Sequence, residues 1–154
     1  MSEAAARAPT AIDALVAAAR RGDPQVISKL ASGWALLGGR QFVPGYMLLL
    51  PDPVVPDLNS LTAGARAQFL HDMALIGDAL LKVTAAVRIN YAIFGNLEPA
   101  LHAHIVPRYA DEPAAMRTQH PWAYDWNAAP AFDPGGCAAL AAALRGELAR
   151  CGAR

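Results

Sequence analysis

The segment Leu101-His102-Ala103-His104-Ile105-Val106-Pro107-Arg108 constrains this chain more than any other. It is an apolar run carrying two imidazoles at alternate positions. In an extended chain, residues two apart share a face. Ala100, His102, His104 and Val106 therefore point one way, and Leu101, Ala103 and Ile105 point the other way, into a core. A strand with one working face and one buried face belongs to a sheet packed on helices.

The neighbouring segments supply those partners. Thr10 can cap a helix in which Ile12, Leu15, Val16 and Ala19 form an apolar stripe, and Gly22 ends it. Asp23-Pro24 looks like a cap followed by proline at the first helical position, so a second short helix is expected with Val26, Ile27 and Leu30 inward, stopping near Gly33. Trp34-Ala35-Leu36-Leu37 reads as a strand broken by Gly38-Gly39-Arg40, and Gly45 to Leu50 as a strand ended by Pro51-Asp52-Pro53. The pair suggests an antiparallel hairpin. Residues 62–86 form the clearest helix, with Phe69, Met73, Ile76, Leu80, Val83 and Val87 on one face and Ser60 or Thr62 as cap. Arg88 to Phe94 and Leu101 to Val106 read as further strands, with Gly95-Asn96 turning the chain between them. Asp133-Pro134 opens a last helix with Leu140, Leu144 and Leu148 inside. The expected class is α+β with an antiparallel sheet, a long helix and extra terminal helices. Residues 1–9 are expected to be loose and residues 10–154 to form a single domain.

The 154 residues are 55% hydrophobic and 17% charged, enough for one domain with a substantial core. Lys+Arg and Asp+Glu are equal at 13 each, which argues against a basic nucleic-acid binder. No apolar run is long enough to span a bilayer, and the N-terminus has no signal-peptide pattern, so a cytoplasmic protein is expected. Cys137 and Cys151 read as two unpaired thiols.

Three readings of the histidine strand compete. The imidazoles can be structural. They can be metal ligands, since His-x-His suits zinc or iron. That needs a third ligand, and Val106-Pro107-Arg108-Tyr109 brings no carboxylate, while His71 falls mid-helix and His120 in an irregular tail. The third reading is chemistry at phosphorus. Neutral imidazole is a good nucleophile near pH 7. A second imidazole can stabilise phosphoryl oxygens, and Arg108 adds fixed charge.

The segment resembles the histidine triad (HIT) family signature, His-φ-His-φ-His-φ-φ with φ apolar, which often continues with Pro-Arg. Phe42-Val43-Pro44-Gly45-Tyr46-Met47-Leu48-Leu49-Leu50-Pro51 is similar to the family's Val-Pro-Gly-His-φ-φ-φ-φ-Pro strand. The likeness covers roughly residues 33–110. It implies that His102 attacks the α-phosphate of a nucleotide, forming a covalent nucleotidyl-histidine. It implies that His104 contacts phosphate oxygens and that Asn96 is a phosphate or leaving-group donor. It needs no metal or other cofactor, and it implies a homodimer with sheets continued across the two-fold. The expected activity is nucleotide hydrolysis or nucleotidyl transfer. The alternative is a non-catalytic nucleotide-binding or regulatory protein on the same fold.

Three positions depart from the family. The first histidine of the triad is Ala100, the hairpin histidine is Tyr46, and the acid or amide that commonly holds the ribose falls on Gly38. Tyr46 packing over Ala100 and supporting His102 would join the first two in one exchange. The Ala100 carbonyl is expected to keep orienting His102, giving a competent but altered site that is slow on poor leaving groups. Arg108 is either a phosphate contact, the reading preferred here, or an ion-pair partner of Asp111 or Glu112. The aromatic segment around Trp122 either lines the substrate pocket or packs on the sheet.

Overall fold

A computed structural model describes residues 7–152. Five strands form one antiparallel sheet in the order β1-β2-β3-β5-β4. In chain order the elements are α1 (Ala11–Arg20), β1 (Val26–Lys29), β2 (Gly33–Leu37), β3 (Met47–Pro51), α2 (Ala63–Val83), β4 (Arg88–Ile93), β5 (Ala103–Arg108) and α3 (Ala138–Arg150). The expected α+β class stands. Part of the expected loose N-terminus, residues 1–6, lies outside the described residues. Arg7 is held by two hydrogen bonds to Asp13, at 2.9 and 2.6 Å.

The expected helix after Asp23-Pro24 is strand β1 instead. Asp23 does not cap a helix. Its carboxylate accepts from the Gln25 N–H in a local turn. Val26 and Ile27 are β-branched and favour extended backbone, and the run is too short to nucleate a helix without tertiary help. Ser28 and Lys29 pair with Ala35 and Trp34 of β2.

The other helices follow their caps. Thr10 and Asp13 complete a reciprocal capping box at α1. Thr62 accepts from the Ala65 N–H at the start of α2. The last helix begins at Ala138, later than Asp133, whose carboxylate accepts from the Gly136 N–H in a preceding turn. Val87 lies beyond the end of α2 and is exposed.

The sheet has two unlike faces. Ala35, Leu37, Met47, Leu49, Ala103 and Ile105 face α2 and α3, and with Phe69, Ile76, Leu80 and Leu144 they make the main core. The opposite face carries both imidazoles. At one end α1 lays Ile12, Val16 and Ala19 on Leu36, Leu50 and Ala100. At the other end Val43, Tyr46 and Val106 pack with Phe42, Tyr109, Tyr124 and Trp126. Leu48 touches both groups and pairs directly with His104.

Candidate active site

His102 sits where the chain leaves one strand pairing for another. The β3–β5 ladder runs from Met47↔Ile105 to Leu49↔Ala103 and stops there. The Leu101 N–H donates instead to the Val55 carbonyl at 2.8 Å. Freed from β3, the backbone brings the Ala100 carbonyl to 2.8 Å from His102 Nδ1. A carbonyl only accepts, so Nδ1 carries a proton, and the neutral ring keeps its lone pair on Nε2. The ring is 7% exposed, which fixes its aim. Ala100 thus supplies a main-chain acceptor to His102, as its position in the motif suggested.

The place expected for Tyr46 is wrong. It does not cover Ala100 and does not touch His102. The register sets Tyr46 level with Val106 inside β5, whereas Ala100 lies three residues before that strand begins. Ala100, 1% exposed, is covered by the aliphatic side chains of α1. The space that Tyr46 fills is above Gly38, whose N–H donates to the Tyr46 carbonyl. A Cβ placed on Gly38 would lie only 2.2 Å from Cδ1 and Cε1 of the Tyr46 ring. The small residue that makes room for the Tyr46 ring is Gly38, not Ala100.

Tyr46 meets His104. Its hydroxyl lies 2.7 Å from His104 Nδ1. His104 stands between Leu48 of β3 and Ala92 of β4 in the ladder. The Trp122 ring approaches it at 4.9 Å, edge to face, and the His102 ring at 5.0 Å. Burial, and then the neighbouring His102, lower the His104 pKa from 6.5 to about 4. His104 is therefore a neutral ring at neutral pH.

Arg108 is buried and faces inward. Its guanidinium forms an ion pair with Glu112 at 2.9 Å and donates to Asn90 Oδ1 and to the carbonyls of Gln119 and Met116. Tyr124 donates to Glu112 at 2.6 Å. The preferred phosphate role for Arg108 is corrected in favour of the expected alternative, the ion pair with Glu112: its donors are spent on Asn90 and on the segment from Glu112 to Tyr124. That segment in turn holds Trp122 and Trp126 beside the imidazoles, so the aromatic tail lines the site and also packs on the sheet. Asn96 lies in the exposed turn before β5 and makes no hydrogen bond to the described residues.

A groove of about 970 Å³ runs along β4, walled by Asn90, Ala92, Phe94, Val106, Arg108 and Trp122 among others. The imidazoles are not in its wall. It adjoins His104 through Phe94 and Trp122, whose rings meet edge to face at 4.9 Å. No site role was assigned from the sequence to Phe94 or Phe42, whereas Glu112 stood there as the alternative partner of Arg108, an ion pair that forms. The signal was there: Phe94 directly precedes the glycine turn, and residues 120–126 are dense in aromatics. Among the described residues no group of three or more His, Cys, Asp or Glu could hold a metal ion.

The profile of the HIT domain matches residues 21–111. Among solved structures, a histidine triad protein from Bradyrhizobium japonicum is 26% identical, with a TM-score of 0.69, covering 79% of this chain and 88% of that one. A HIT protein from Sinorhizobium meliloti is 22% identical, with a TM-score of 0.69 and coverage of 84% and 94%. A hypothetical histidine triad nucleotide-binding protein from Sulfolobus tokodaii is 14% identical, with a TM-score of 0.64 and coverage of 82% and 84%. No curated protein sequence matches this chain.

Proposed function

The chain belongs to the histidine triad family, and on that premise we propose that it is a metal-independent nucleotide hydrolase or nucleotidyl transferase with His102 as nucleophile. The observation that carries this reading is the 2.8 Å contact of His102 Nδ1 with the Ala100 carbonyl, which in the neutral ring places the proton on Nδ1 and the lone pair on Nε2. The Nε2 lone pair attacks the α-phosphorus. The bond from phosphorus to the leaving group breaks, and its electron pair departs with that group, which takes a proton from solvent. The new N–P bond makes the ring cationic, and the Ala100 carbonyl, still accepting from Nδ1–H, disperses that charge. Water, or another hydroxyl acceptor, then attacks phosphorus and gives up a proton. The N–P bond breaks and its pair returns to Nε2.

His104 supports the step as a neutral donor to a phosphoryl oxygen. Arg108 acts through the tail it anchors, and Asn96 is free to reach the substrate from its turn. Gly38 brings no side chain to a ribose, so recognition rests on the phosphate and the aromatic surroundings more than on a sugar diol. The substrate is a small nucleotide or related phosphate compound, and the proposed location is the cytoplasm. Two copies would continue the sheet at the β4 edge, where Val87 and Tyr91 are exposed.

Turnover tests this reading. Purified protein is offered nucleoside phosphoramidates and dinucleoside polyphosphates, and wild type is compared with His102→Ala. Hydrolysis by wild type and loss of it in the variant are expected. Ligand-induced thermal stabilisation without turnover would favour the non-catalytic nucleotide-binding alternative.

A further inference from the structure

We infer that Tyr46 is a positioning residue of this site: its hydroxyl holds His104 in the single tautomer that presents Nε2–H, and Gly38 gives the ring the room to do so. The kinetic half of this inference rests on the reading of His102 as a nucleophile at phosphorus. The structural half does not.

A 2.7 Å contact between a phenol oxygen and an imidazole nitrogen can run either way. The surroundings decide it. Tyr46 is 4% exposed, and its hydroxyl has no partner among the described residues except His104 Nδ1. If His104 donated from Nδ1, the phenolic proton would be buried without an acceptor, which costs about 1–3 kcal/mol. If the phenol donates, both groups are satisfied. Burial also raises the Tyr46 pKa, so the phenol keeps its proton. Nδ1 then accepts, and the one ring proton of neutral His104 sits on Nε2.

The phenol is held rigidly. Its ring contacts Phe42 at 5.0 Å and the edge of Trp126 at 5.1 Å, and Gly38 lies under it. No residue with a side chain fits at position 38 while the ring stays. Tyr46 and Gly38 are therefore one unit.

This arrangement sets two imidazoles in opposite roles. His102, proton on Nδ1, offers a lone pair from Nε2. His104, lone pair on Nδ1, offers a proton from Nε2. One ring can attack phosphorus while the other donates to an oxygen on it.

Long-range proton–nitrogen correlation spectra of ¹⁵N-histidine-labelled protein test the tautomer at pH 7 without any substrate. His104→Asn identifies the His104 signals. In wild type a single Nε2–H tautomer is expected for His104. Tyr46→Phe keeps the ring and its packing but removes the donor, so its His104 nitrogens should move toward an average of the two tautomers. On a substrate that wild type turns over, Tyr46→Phe should lower kcat about tenfold and leave KM within about twofold. An Nδ1–H tautomer in wild type, or unchanged His104 nitrogens in a folded Tyr46→Phe, would overturn the inference. Changed nitrogens with unchanged kcat would overturn its kinetic half. The wild-type spectrum decides the tautomer even if the variant does not fold or no substrate is turned over.

Discussion

The two ends of the histidine-bearing sheet face are built on different principles. At the Ala100 end the cover is aliphatic: Ile12 and Val16 of α1 lie on Leu36 and Leu50. Nothing in that cover depends on hydrogen-bond direction. At the Tyr46 end the cover is aromatic and polar: Phe42, Tyr124 and Trp126 pack together, and Tyr124 is tied through Glu112 to the buried Arg108. His102 is oriented by backbone and His104 by a side chain. Ala100 and Tyr46 therefore belong to separate clusters: one lies under hydrocarbon, and the other is a ring that also meets an imidazole.

The largest test of that contrast is Arg108→Ala. It strands the Glu112 carboxylate in a buried site, which should cost about 3–5 kcal/mol in denaturant unfolding. Tryptophan emission should move to the red as Trp122 and Trp126 lose their support. Ile12→Val at the aliphatic end should cost about 1 kcal/mol and leave the emission unchanged. Equal and emission-silent losses would erase the distinction between the two ends.

Acid should separate them next. His104 has its folded pKa lowered from 6.5 to about 4, so folding favours its neutral form. The resulting stability is complete above pH 6.5 and is lost as the pH falls toward 4. Its size is on the order of 3 kcal/mol. Wild type should lose stability more steeply than His104→Asn through this window, measured by chemical denaturation at each pH. Parallel curves would remove the desolvated His104 from the description.

A third, smaller effect lies in coupling. Gly38→Ala should cost about 1–3 kcal/mol by driving a methyl into the Tyr46 ring. The same change in a Tyr46→Ala background should cost much less. Ala100→Gly should instead be additive with Tyr46→Ala, within about 0.5 kcal/mol. Coupling to Ala100, and none to Gly38, would restore the single-exchange picture. The least effect is expected at the α1 cap, where Thr10→Ala should cost about 1 kcal/mol and leave activity alone.

Much of this was legible from local pattern. The long helix was readable because Phe69, Ile76 and Leu80 repeat on one face. The hairpin was readable because glycines and prolines bound its apolar runs. The faces of the histidine strand follow from period two alone, whereas the pairing of His102 with the Ala100 carbonyl was implied only by the family resemblance. Strand β1 was not legible, because Asp23-Pro24 makes the same local turn before a strand as before a helix. Tyr46 was misplaced because residue spacing within one strand says nothing of which neighbour lies across it. The register with β2 brings Gly38 beneath the ring, and only the fold reveals that. Arg108 was misread for a related reason: its carbonyl acceptors at Met116 and Gln119 are backbone atoms, invisible in residue types.

The central claim is that a backbone-oriented His102 forms a bond to phosphorus without the first histidine of the triad. Rapid quenching of wild type with a nucleotide substrate labelled at the α-phosphate tests it most directly. The expected result is an acid-labile label trapped within the first turnover, mapping to His102 and missing from His102→Ala. Turnover with no trapped label, or equal labelling of His102→Ala, would contradict it.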